Sequence, residues 1–198
     1  MTDGTRRTEK VSSPDMAWRT RDIVVTAIIA VAFGVVFWAW NLAWAGPISL
    51  AFAAFPWAAN LLYAVWLVPA VLAPLVVRKP GAALFAELVA ASLSAIIGSQ
   101  WGPDTLLSGF VQGAAAELVF AVVRYRRWSF PVLAAAAIAS SCAAWIHDWI
   151  IYYATYAVGY QVLVGVVMAI SAVVIVAAGS MLLVRSLRQS GVLQGFPV

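Results

Sequence analysis

The chain has 198 residues, of which 64% are hydrophobic and 10% charged, with a mean hydropathy of +0.94. No water-soluble core and surface of this size combine such values, so composition excludes a soluble protein and requires a membrane one. The formal charge of +4 comes without a basic, aromatic-laced stripe on a soluble surface, which excludes a nucleic-acid binder.

A bilayer crossing takes about 20 apolar residues. On that measure the chain is an all-α integral membrane protein with six transmembrane helices, predicted over Ile23–Trp44, Leu50–Val77, Gly81–Gly98, Thr105–Val123, Phe130–Tyr153 and Gln161–Val184. Residues 1–22 read as a polar cytoplasmic segment, 23–187 as the membrane domain and 188–198 as a cytoplasmic tail. Six crossings put all 12 Lys and Arg on one side, which the positive-inside rule makes cytoplasmic together with both termini; a seventh would scatter them. The first apolar run is too long for a signal-peptide core and five spans follow it, so it is read as an uncleaved helix despite the small residues in "NLAWAGP".

In the first predicted helix Trp38 and Asn41 lie one turn apart. The second is long enough to be tilted, or broken near Pro56 or Pro69, and carries Trp57, Asn60 and Tyr63 at three-residue steps.

The third and fourth helices each contain the letters AELV, at Ala86–Val89 and Ala116–Val119, so each has one carboxylate in a stretch fit for hydrocarbon. A charge at the centre of a membrane helix costs about 2.5–3.5 kcal/mol on insertion scales, which makes Glu87 and Glu117 functional candidates. Counted from the span ends, both fall near the midplane and can share one cavity; the alternative is a structural bond across a helix interface. Glu87, Ala91, Ser94, Gly98 and Trp101 follow one helical face, as do Gly109, Gly113 and Glu117, with Gln112 flanking.

The fifth helix brings Trp145, Asp148 and Tyr152 to one face with Ser141, bracketing a carboxylate with two rings. Rings stack on an aromatic heterocycle and attract a cation, while a carboxylate fixes an exocyclic amine or balances charge. His147 is next to Asp148 and so points about 100° away, which argues for a packed or rim histidine. Trp40, Trp44, Trp101 and Trp149 lie near the outer boundary, where an aromatic belt is an equal explanation. The single cysteine, Cys142, sits in "AIASSCAAW" and reads as a small packed residue.

The string "RKPGAALFAELVAASLSAIIGSQWGPDTLLSGFVQGAAAELVFAVVRYRRW", from Arg78 to Trp128, resembles the central part of the YkoE family: substrate-binding S components of energy-coupling-factor (ECF) transporters for thiamin or its hydroxymethylpyrimidine precursor. The likeness extends more loosely over all six spans. It implies a six-helix protein of the bacterial cytoplasmic membrane with a vitamin pocket in the outward half, under a loop after the first helix that here would be about 45–49. It also implies a transmembrane coupling protein and two cytoplasmic ATPase subunits as partners. The absence of a phosphate-binding loop in the sequence fits that division of labour. Small residues on the first helix of such proteins meet the coupling protein, and Ala30 and Gly34 stand at that place, with Gly34 where an alanine is commoner.

The expected ligand residues are therefore Trp38, Asn41, Trp57, Asn60, Tyr63, Glu87, Ser94, Trp101, Gln112, Glu117, Trp145, Asp148 and Tyr152, with no metal and no cofactor. Two other classes compete. A proton-coupled secondary carrier for an amine-bearing heterocycle also wants midplane carboxylates; an intramembrane enzyme is poorly served by one histidine and no HExxH or GxSxG spacing. ATP dependence of uptake separates the carrier from the S component.

Overall fold

The computed structural model describes residues 16–198, so Arg6, Arg7 and Lys10 lie outside the described residues. Among these all regular secondary structure is helical, in six segments: α1 (Thr20–Ala51), α2 (Pro56–Val77), α3 (Ala82–Gly98), α4 (Asp104–Val122), α5 (Phe130–Ile151) and α6 (Val158–Gln189). All six are apolar, and α3, at 17 residues, is the shortest. The described Lys and Arg gather at one end of the bundle, and the connections at the opposite end carry none.

Helix α2 is the axis. Every residue from Pro69 to Val77 is buried, which is why this segment is apolar on all sides. It stays a single crossing despite its prolines. Pro56 occupies a first-turn position, where a missing N–H costs nothing, and Pro69 marks the change from a 3₁₀ stretch, Asn60–Leu67, to α-helix.

Helix α1 packs against α3 with a stripe of buried residues, Asp22, Thr26, Ala30, Gly34, Phe37 and Asn41, while Ile28 on its far side is 62% exposed to the lipid. The two residues expected at a docking face, Ala30 and Gly34, belong to this stripe. Ala30 is buried beside Ala73 and Ala86, and a Cβ at Gly34 would stand 2.7 Å from the Cβ of Leu93. The two small residues let α1 approach α3 closely.

The expected loop at 45–49 is corrected. Trp44–Ile48 forms a π-helical turn containing Pro47, and the helix runs on to Ala51. A proline inside a helix lacks the N–H and crowds the preceding turn; one wider turn accommodates it without ending the helix. Leu50 thus belongs to α1, and α2 begins at Pro56.

At the basic end Asp22 is 3.7 Å from Lys79 Nζ and 3.6 Å from Arg21 Nε, and Trp18 Nε1 donates to the Pro80 carbonyl at 2.9 Å. The C-terminal residues fold back here: Leu193 is buried and the Arg21 guanidinium lies 5.2 Å above the Phe196 ring. Cys142 is exposed on α5 and not packed.

Candidate functional site

Between α1, α2, α3, α4 and α5, towards the end without Lys or Arg, lies a cavity of about 680 Å³ including the open space at its mouth. Nine of the thirteen expected residues line it: Asn41, Asn60, Tyr63, Glu87, Ser94, Trp101, Gln112, Asp148 and Tyr152.

Its deepest charged group is Glu87, 1% exposed. The amide of Ala70 lies in the first turn after the 3₁₀ stretch, where helical amides have no partner in their own helix. Glu87 Oε2 accepts that amide at 3.0 Å, so the carboxylate is anchored by one oxygen. Glycines on α4 make room around it. A Cβ on Gly113 would be 2.9 Å from Glu87 Cβ, and one on Gly109 would be 2.5 Å from Ala91 Cβ.

One wall is aromatic. The 3₁₀ period of three residues per turn places Asn60, Tyr63 and Trp66 in one line along the cavity, which explains the three-residue steps of the sequence. Trp44 joins them, with ring centroids 4.9 Å from Trp66 and 6.3 Å from Tyr63. Polar groups fix these rings. Trp66 Nε1 donates to Asn41 Oδ1 at 3.1 Å, and Asn41 Nδ2 donates to the Ser94 hydroxyl at 3.1 Å and the Ser99 hydroxyl at 3.2 Å. Gln112 Nε2 donates to Ser108 Oγ at 2.5 Å.

The mouth is acidic. His147 Nδ1 lies 2.9 Å from Asp148 Oδ1, and its Nε2 lies 3.1 Å from Asp104 Oδ1 on α4. His147 is packed, 8% exposed, and pairs with its chain neighbour all the same, because Asp148 is short enough to fold back onto the ring while the ring turns inward to Asp104. Both nitrogens donate only in the imidazolium form. The Tyr152 hydroxyl donates to Asp104 as well. Burial first, then that carboxylate, push the Tyr152 pKa above its ordinary value, which keeps the hydroxyl a donor. The Trp101 and Tyr152 rings meet at 5.3 Å.

Four expected residues lie outside the cavity lining. Glu117 is not beside Glu87 at the midplane but at the start of α3, where it accepts the amides of Gly81 at 2.6 Å, Ala83 at 2.9 Å and Leu84 at 3.5 Å, and the Tyr125 hydroxyl at 2.7 Å. It caps a neighbouring helix whose own sequence offers no capping side chain. Trp145 turns to α6: its Nε1 donates to the Gln161 carbonyl at 2.9 Å and its ring fills the space left by Gly165. Trp57 packs against the hydrophobic core, and Trp38 is half-buried on α1.

Sequence reasoning missed Phe37, Trp44, Trp66, Asp104, Thr105, Ser108 and Tyr153 as lining residues. One further three-residue step would have found Trp66; an acid in the first turn of a helix, as Asp104 is, bears no mark of a site in the sequence. Among the described residues no group of three or more His, Cys, Asp or Glu is placed to hold a metal ion.

A family model described as "ABC-type cobalt transport system, permease component" matches residues 21–143. The "Putative HMP/thiamine permease protein YkoE" of Bacillus subtilis (strain 168) is 34% identical over 183 residues, covering 90% of this chain and 89% of that protein. A solved structure described as "Crystal structure of an S-component of ECF transporter" superposes with a TM-score of 0.84 at 33% identity, over 91% of each chain.

Proposed function

Since the chain belongs to the YkoE-type family of S components of ECF transporters, multi-pass membrane proteins of transport and not enzymes, we propose that it captures thiamin or its hydroxymethylpyrimidine precursor for ATP-driven uptake by partner subunits. The observation that carries this reading is the pairing of an aromatic wall, Trp44, Tyr63 and Trp66, with the carboxylates Glu87, Asp104 and Asp148 around a cavity lined by no Lys or Arg. A flat heterocycle gains from stacking on such rings, its exocyclic amine from a buried carboxylate, and a fixed positive charge from the acidic mouth.

The chemistry of the lining supports an organic ligand over the cobalt ion in the family model's description. A borderline divalent ion is best held by several imidazole or thiolate ligands; the one imidazole at the mouth, His147, is already bonded to Asp104 and Asp148, and among the described residues no group of three or more His, Cys, Asp or Glu is placed to hold a metal ion. Orientation follows from charge: the basic end is cytoplasmic under the positive-inside rule, so the mouth faces out. A coupling protein and two ATPase subunits supply the energy in this reading, since the chain itself carries no phosphate-binding loop.

Titration of the purified chain with thiamin and with hydroxymethylpyrimidine, followed by tryptophan fluorescence, tests the ligand. Saturable quenching by either supports the reading, and no response to both overturns it. Uptake into vesicles holding only this chain, without ATPases, would return the protein to the carrier class.

A further inference from the structure

We propose that Arg78, beside Trp128, forms together with Arg188 a site for the phosphate of an anionic lipid headgroup at the basic end of the bundle. The proposal is independent of the vitamin reading, since none of the three residues lines the cavity.

Arg78 is the first residue after α2 and turns its backbone into the left-handed region, φ 53°, which stops the helix and directs the side chain across the bundle end. Its guanidinium lies 5.7 Å from the centre of the Trp128 ring. Its Nε is buried and has no hydrogen-bond partner. A buried donor on a charged group is costly to leave unmet, so an acceptor belongs there.

Arg188 stands in the last turn of α6, and the closing segment of α6 packs against Pro69–Val77, the segment of α2 that ends at Arg78. Burial first, and then the Arg188 charge, hold the Arg78 pKa below its ordinary value. Two like charges drawn together want an anion between them. No described side-chain carboxylate meets that need: Asp22 pairs with Lys79 and Arg21, Glu117 caps α3, Glu87 lies in the cavity, and Asp104 and Asp148 stand at the opposite end.

Position favours a lipid over a soluble anion. Trp128 has the amphipathic ring typical of a membrane interface, and near it in the chain Val122, 82% exposed, and Phe130, 41% exposed, offer apolar surface to an acyl chain. Arg124, Arg126 and Arg127 in the same connection are exposed and add to the attracting field. Basic pockets between membrane helices on the cytoplasmic side suit anionic headgroups, and an arginine fork fits phosphate oxygens pairwise.

The test uses the full chain in nanodiscs of phosphatidylcholine with and without phosphatidylglycerol. Phosphatidylglycerol raises the unfolding temperature of the parent protein, and R78Q/R188Q loses most of that rise, with retained phosphatidylglycerol in native mass spectra reduced about tenfold. R188Q alone leaves the end of α2 untouched and shows a partial loss should the double variant fold poorly. An equal rise in parent and variants overturns the proposal, as does loss of the rise only in R124Q/R126Q/R127Q. An equal rise from inorganic phosphate in pure phosphatidylcholine discs overturns the lipid source. Loss of partner-subunit binding in R78Q/R188Q with no lipid response in the parent overturns it in favour of a protein acid. Vitamin titration of the same samples is unchanged if the site is separate, so the two readings fail by different measurements.

Discussion

Asp104 and His147 are 43 positions apart in the chain and 3.1 Å apart in space, through Oδ1 and Nε2. This bond ties the first residue of α4 to the last turn but one of α5 across the mouth of the cavity, and the contact of His147 with Asp148 extends it to a second carboxylate. The histidine sets the distance between two acids that a ligand meets on entry.

Removing that tie loosens the mouth. His147→Ala and Asp104→Asn are expected to weaken ligand binding about tenfold or more, since a hydrogen bond to a charged group is worth about 1.5–3 kcal/mol. Fluorescence titration measures this. Wild-type affinity in both variants would mean that the mouth does not meet the ligand.

Glu87 has two tasks that one substitution separates. Glu87→Gln keeps an oxygen to accept the Ala70 amide but removes the charge, so the unfolding temperature should barely move while affinity falls about tenfold or more. Glu87→Ala should lose both. A glutamine variant that binds as the parent does leaves Glu87 a helix cap only.

Glu117 is expected to behave in the opposite way. Glu117→Ala strands the start of α3 and the Tyr125 hydroxyl, at about 1–3 kcal/mol of stability. The folded fraction should bind with parental affinity. Reduced affinity alongside intact stability would restore Glu117 to the ligand site.

Gly109 tests the contact between α3 and α4. In Gly109→Ala the new methyl would stand 2.5 Å from the Ala91 Cβ and 3.4 Å from the Glu87 carbonyl oxygen, neither of which is a flexible tip. The helices must part, at about 1–3 kcal/mol for overpacking, and the cavity between them changes shape. Thermal unfolding and titration should both worsen; a neutral result would show that the helix pair slides freely.

What the sequence reveals depends on whether a residue's partner is in its own helix. The face Glu87, Ala91, Ser94 is legible because an α period generates it, and all three line the cavity. The steps Asn60 and Tyr63 are legible for the same reason, although their spacing of three signals a 3₁₀ stretch that propensity alone does not predict. Glu117 is misread in depth because its partners are amides of another helix, and an uncapped start of α3 leaves no mark near residue 117. Small pairs are ambiguous in kind: Ala30 and Gly34 look the same whether they face a partner subunit or α3. Asp104 gains its role only when folding brings His147 and Tyr152 to it.

The 3₁₀ stretch Asn60–Leu67 also governs which inherited changes the pocket tolerates. Point substitutions at Asn60, Tyr63 or Trp66 exchange one group of the wall and leave the others in place, so ligand preference can drift one residue at a time. A change of length has no such freedom. Losing one residue ahead of Tyr63 turns the remainder of the line by about 120° and sets Ala64 and Leu67 where the rings stood, whereas losing three preserves the line but shortens the span by about 6 Å. In descendants of this chain the stretch should therefore vary in letters and hold its count.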